Sequence, residues 1–160
     1  MPEIKLPQFN GNRILLIVGA IVALLFFSAF FSGSETALFS LSRLDLQQLM
    51  RSGHPRSETL QSLLDSPRRL IISLLCGNEL INIAAVANMT GILVTLYGAG
   101  KGGMLSIAVM VPLLLLFGEV TPKTIAVTNP VRISAGVVAA PLDLLVRIVS
   151  PLRWLIRWAA

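Results

Sequence analysis

Residues 113–124 read LLLLFGEVTPKT. The leucines and Phe117 belong inside a membrane, yet Gly118 and then Glu119 follow at once. A carboxylate is expensive to bury in hydrocarbon, and an ionisable residue within a span marks a functional site by default. Upstream, the apolar stretch Met104–Phe117 has 14 residues. At 1.5 Å per residue that is ~21 Å, short of a ~30 Å hydrocarbon core. The helix must carry Gly118 and Glu119 below the membrane surface, or stop and let another element fill the gap.

The rest of the chain fits a membrane setting. It has 160 residues, 54% hydrophobic and 13% charged, with a mean hydropathy of +0.79. Soluble domains carry about 25% charged residues. The net charge of +5 is spread over loops and the C-terminal third. No Lys/Arg block interleaved with aromatics is present, which argues against nucleic acid as a partner. Cys76 stands alone in an apolar run and reads as a small buried hydrophobe, since one cysteine makes neither an internal disulfide nor a zinc cluster. No nucleophile–base pair is visible, so the chain is not read as an enzyme.

The pattern predicts an all-α membrane protein, one transmembrane domain over residues 1–160. Its spans lie at about 14–32, 70–96 and 104–121. The first lacks an A-x-A-like cleavage site and reads as a retained span. Lys and Arg concentrate between the first two spans and after the third. By the positive-inside bias, that loop and the C-terminus are cytoplasmic and the N-terminus is outside. The loop holds two short helical patterns, LSRLDLQQLM and SETLQSLLDS, the second with Ser57 as a cap candidate. From about 131 to 160, Arg132, Asp143, Arg147, Arg153 and Arg157 share one stripe of an otherwise apolar wheel. That suits an amphipathic helix lying in the interface as a belt, bent at Pro141 and Pro151. A fourth span is the other reading, and Arg147 in its middle argues against it.

Depths place the polar residues of the three spans together. With a ~30 Å core, Ser32 lies ~3 Å, Glu119 ~7 Å and Asn78 ~12 Å inside the cytoplasmic boundary. Asn82 is one turn beyond Asn78 on the same face. Ser34 and Thr121 add oxygen, and Gly33, Gly77 and Gly118 allow carbonyls to turn inward. Such a set suits Mg2+ or Ca2+ and not copper or zinc. Other roles remain open: a capping box in the SGSE of Ser32–Glu35, interhelical hydrogen bonds from Asn82 and Asn88, and a Glu119–Lys123 pair one turn apart. Small residues Gly19, Ala20, Ala84, Ala85 and Ala87 would let helices approach closely in a homodimer.

Three stretches, FFSGSETALFSLSR, RRLIISLLCGNELINIAA and LLLFGEVTPKTIA, together resemble the transmembrane motifs of the CorC/CNNM family. The resemblance implies Mg2+ transport, as export probably coupled to Na+, by a homodimer in the plasma (inner) membrane. It implies a metal site on Ser32, Asn78 and Glu119, flanked by Gly33, Gly77 and Gly118. A membrane-anchored Mg2+ sensor that moves nothing itself would need the same ligands and remains the alternative. Family members continue into a cytoplasmic nucleotide-binding module. Residues 1–160 hold none, so a membrane domain on its own is expected and ATP is not an expected ligand.

Overall fold

The computed structural model describes residues 11–142 and residue 144. Every regular element among them is helical. Three helices are long and apolar enough to cross a membrane: Leu15–Phe39, Leu70–Tyr97 and Ala99–Thr128. The third therefore does not stop after Phe117 but carries Gly118 and Glu119 onward.

The first helix, α1 (Gly11–Phe39), runs straight through SGSE. The capping box considered for Ser32 and Glu35 does not form. A lone mid-helix glycine costs only ~1 kcal/mol, and Ala37 and Leu38 beyond it are fully buried, so packing holds the helix together. The capping box lies ten residues on instead, opening α2 (Arg43–Arg51). There the Asp45 N–H donates to Ser42 Oγ at 3.1 Å, and the Ser42 N–H donates to Asp45 Oδ2 at 2.9 Å. The bonds from Ser42 hold the Asp45 carboxyl below the usual carboxylate range. In α3 (Ser57–Leu64), Ser57 is the first helical residue and not the cap. Its hydroxyl donates back to the His54 carbonyl at 2.8 Å.

The second span belongs to α4 (Pro67–Tyr97) and the third begins with α5 (Ala99–Leu113). The gap expected between the second and third spans, residues 97–103, shrinks to one residue, Gly98, whose φ of +82° suits glycine. Gly102 then packs against α4, because a Cβ there would collide with the Leu93 carbonyl and the Val94 backbone. After α5 the chain enters a π-helical segment, π1 (Leu114–Val120), and returns to α register in α6 (Thr121–Thr128). A second π segment, π2 (Ser134–Val138), follows the short α7 (Pro130–Ile133). The apolar helix Pro130–Leu142 covers the start of the expected belt. Asp143, Arg147, Arg153 and Arg157 of its charged stripe lie outside the described residues, as does Pro151.

Two compact units result. One comprises the chain to Phe31 with Gly77–Pro122, the other Ser32–Cys76 with the chain from Lys123. The first has a core of Ile21, Ala85, Ile92 and Met110. The second buries Leu38, Leu60, Leu74, Val138 and Leu142. Within it, the Arg56 guanidinium reaches π2, where Nη1 donates to the carbonyls of Ala135 (2.9 Å) and Gly136 (2.6 Å).

Candidate ion site

In the first unit, α1, α4 and π1 meet at Ser28, which is 1% exposed. Asn78 and Asn82 lie one turn apart on α4 and share a face. Ser28 Oγ donates toward Asn82 Oδ1 at 2.7 Å and toward Asn78 Oδ1 at 3.2 Å. A serine hydroxyl has a single proton, so it serves one amide oxygen fully and leaves the other short of a donor. The longer distance assigns that deficit to Asn78. On π1, a Cβ at Gly118 would stand 2.8 Å from Ser28 Oγ. Glycine is what lets the backbone of the third span come this close.

The next residue, Glu119, is half-buried in a segment whose register is shifted. The Thr121 N–H bonds to the Leu116 carbonyl, five residues back. Pro122 offers no N–H. Its missing donor would have served Phe117 in π register or Gly118 in α register, so a carbonyl of that pair lacks its helix partner. π segments of this kind occur often at functional sites.

Thus Asn78, Asn82 and Gly118 come together around one hydroxyl, with Glu119 next in sequence. Gly77 serves packing, since a Cβ there would stand 2.6 Å from the Phe31 ring. Ser32, Gly33 and Ser34 belong to the second unit and are all buried. The hydroxyls of Ser32 and Ser34 have no hydrogen-bond partner. Ser28 escaped the sequence reading. It sits one helical turn before Ser32 in an otherwise apolar run, and that i, i+4 spacing was the available signal.

Two expectations need correction. Cys76 is exposed, on the outward side of α4 rather than in a core. Asn88 bonds within its own helix, where its Nδ2 donates to the Ala84 carbonyl at 2.8 Å. In the loop between α2 and α3, the His54 Nδ1 accepts the Arg56 N–H at 3.3 Å. Among the described residues no three His, Cys, Asp or Glu gather into a metal cluster. Ser28, Asn78 and Asn82 offer neutral oxygens here, and Glu119 follows Gly118 in sequence; donors of this type fit a hard ion.

Residues 19–160 match the sequence profile of CNNM, the cyclin M transmembrane N-terminal domain. The chain belongs to the CNNM family. It is 38% identical over 131 residues to the UPF0053 inner membrane protein YfjD of Escherichia coli, across 81% of this chain and 30% of that protein. It is 35% identical over 135 residues to a UPF0053 protein of Haemophilus influenzae, across 84% of this chain and 32% of the other. A chloroplastic DUF21 domain-containing protein of Arabidopsis thaliana is 31% identical over 140 residues, across 87% of this chain and 21% of that protein. This CNNM chain therefore spans at most about a third of the length of these relatives. It is a multi-pass membrane protein by its three candidate spans and its family.

Proposed function

We propose that this CNNM domain moves Mg2+ across a membrane through an all-oxygen site in which Glu119 is the charged ligand. The reading rests above all on the meeting of Ser28, Asn78, Asn82 and Gly118, with Glu119 beside them on a π segment. A carboxylate in so apolar a span would tend to take up a proton. A divalent cation keeps it ionised. Mg2+ requires near-octahedral oxygen at about 2.0–2.1 Å. Asn78 Oδ1, left short of a donor, and a carbonyl of the Phe117–Gly118 pair are the neutral candidates here. The motif resemblance adds Ser32, with Gly33 and Gly77 as matching glycines, and Na+ as the coupling ion for export, and Ser34 offers a further oxygen.

The membrane is an inner membrane in this reading, as in the name of the E. coli relative. Lys/Arg bias puts the N-terminus outside and the C-terminus in the cytoplasm, with a belt at the interface over about 131–160. The working form is a homodimer in the bilayer, because three spans are few to shield an ion path from lipid. Ala85 is fully buried within one protomer, which leaves Gly19, Ala20 and Ala87 as exposed small residues for a second copy.

Isothermal titration of Mg2+ and flux from loaded liposomes test the proposal. Glu119→Gln keeps the shape, removes the charge and should abolish both binding and flux in a folded protein. Asn78→Ala should weaken binding without abolishing it. Wild-type affinity in Glu119→Gln overturns the ligand role. Comparable harm from Lys123→Ala would favour a Glu119–Lys123 pair instead. Binding without flux under any gradient would favour the sensor.

A further inference from the structure

In the second unit, α2 and α3 pack against each other in the loop between the first two spans. They frame a groove of about 620 Å³. Leu41, Leu46, Met50 and Leu64 give it an apolar lining, and Arg43, Gln61 and Asp65 are among its polar groups. Its place along the chain fixes its depth. Leu41 follows the end of α1 at Phe39, and Asp65 precedes the start of α4 at Pro67. Asp65 stands five residues before Leu70, where the second membrane-length stretch begins, a rise of at most ~7 Å along a helix. The headgroup layer is itself ~5–7 Å deep on each side of the hydrocarbon. Apolar groups are exposed at this level: Leu44 is 70% exposed, and Phe39 and Met50 are exposed as well. Arg43 and Asp65 both line the groove, and among the described residues neither makes an ion pair. A cation and a carboxylate that leave each other unpaired in one groove, at headgroup depth, are the complement of a zwitterion.

We propose that this groove binds one glycerophospholipid of the bilayer and that its headgroup is phosphoethanolamine. The inference does not depend on the transport reading above. The lipid phosphate goes to Arg43, whose planar fork of donors matches phosphate oxygens. The lipid ammonium, with three N–H donors, goes to the Asp65 carboxylate and the Gln61 side-chain carbonyl. A choline headgroup has no N–H to give and is recognised by aromatic faces, and no aromatic side chain among the described residues lines this groove. A glycerol headgroup would set the lipid's negative charge beside Asp65 with no ammonium to offset it. The leucines and Met50 take the first methylenes of the acyl chains. The volume suits this load, since sites for small ligands span ~300–1,000 Å³.

The test is native mass spectrometry of the delipidated full chain. It is titrated with phosphatidylethanolamine, phosphatidylglycerol or phosphatidylcholine of identical acyl chains. One phosphatidylethanolamine should bind about tenfold more tightly than either of the others, a difference of about 1.4 kcal/mol. Arg43→Ala should weaken all three lipids, because each carries the phosphate. Asp65→Asn should erase the preference for phosphatidylethanolamine over phosphatidylglycerol and leave phosphatidylglycerol binding no weaker. Glu58→Gln, an exposed charge on α3 outside the groove, should change neither affinity nor preference. Arg43 and Asp65 are exposed as well, and thermal unfolding checks that the variants stay folded. The wild-type preference is read without any variant. Equal affinity for the three lipids, or a preference that survives Asp65→Asn, overturns the proposal. Displacement of the bound lipid by excess soluble phosphoethanolamine overturns it too, because the ligand would then be the free headgroup. The same holds if no lipid binds saturably, as when another part of the chain or a partner helix fills the groove.

Discussion

Among the described residues the chain leaves α register twice, in π1 (Leu114–Val120) and in π2 (Ser134–Val138). Both segments run toward a proline, Pro122 after the first and Pro141 after the second. In π2 the Ala139 N–H bonds to the Ser134 carbonyl. The same register would pair Gly136 with Pro141, which has no N–H to give. The Arg56 guanidinium donates to that carbonyl at 2.6 Å and to Ala135 at 2.9 Å. In π1 the equivalent carbonyl is that of Phe117, and what lies next to the segment is different. Its neighbours are a carboxylate, two asparagines and a serine. The contrast teaches that a π segment ahead of a proline makes a cation acceptor out of the backbone. In π2 the protein supplies the cation itself, as a guanidinium. In π1 the following Gly118 packs against the Ser28 hydroxyl that two asparagines share, and Glu119 comes next in sequence.

The strongest way to break this contrast is to repair π1. Pro122→Ala restores an N–H and allows α register, which turns Glu119 by roughly 100° about the helix axis. Mg2+ flux should be lost although every side-chain ligand remains. Flux at the wild-type rate would mean that the register is incidental. Next comes Arg56→Ala, which strips π2 of its donor. Bonds to charged groups are worth about 1.5–3 kcal/mol, and the loss should appear in thermal unfolding in detergent. Arg56→Lys should recover part of it, and no change in stability would dissolve the parallel between the segments.

A finer probe is Gly118→Ala. The new Cβ would stand 2.8 Å from Ser28 Oγ, and overpacking of this kind costs ~1–3 kcal/mol. Ser28→Ala removes the obstructing oxygen, so the two substitutions should be far from additive in a double-mutant cycle. Additivity would show that the three helices do not meet at Ser28. Smallest is the capping box, a control outside both π segments. Ser42→Ala should cost about 1 kcal/mol. The folded Asp45 carboxyl is depressed by its bonds from Ser42, so its contribution is present above the unfolded value of about 3.9. It is lost as pH falls through the lower folded value. The stability gap between wild type and Asp45→Asn should therefore narrow between pH 6 and pH 3. A gap that ignores pH would rule out the carboxylate's role.

Much of this was legible in the sequence, for physical reasons. Apolar runs of membrane length have few alternatives to helices, since the bilayer offers the backbone no other hydrogen-bond partners. Asn78, Asn82 and Glu119 stood out because polar groups in such runs are costly. Ser28 did not, because a serine can bond its own helix and carries little penalty by itself. The SGSE of Ser32–Glu35 looked like a cap because local chemistry allows one. Only the packing of Ala37 and Leu38 beyond it keeps the helix going, and no local pattern reports that.

By itself the sequence determined the helical class, the three membrane-length spans and the rarity of carboxylates within them. These are consequences of composition and period, which each segment carries alone. Tertiary structure decided what each polar group faces. It paired Ser28 with two asparagines, put Gly118 against that hydroxyl, shifted Leu114–Val120 into π register and gave Gly136 to Arg56. Those outcomes depend on which helices lie side by side and at what height. A carbonyl orphaned by a proline is the same in every sequence, but whether an arginine, a serine or an ion completes it is fixed only once distant segments are packed together.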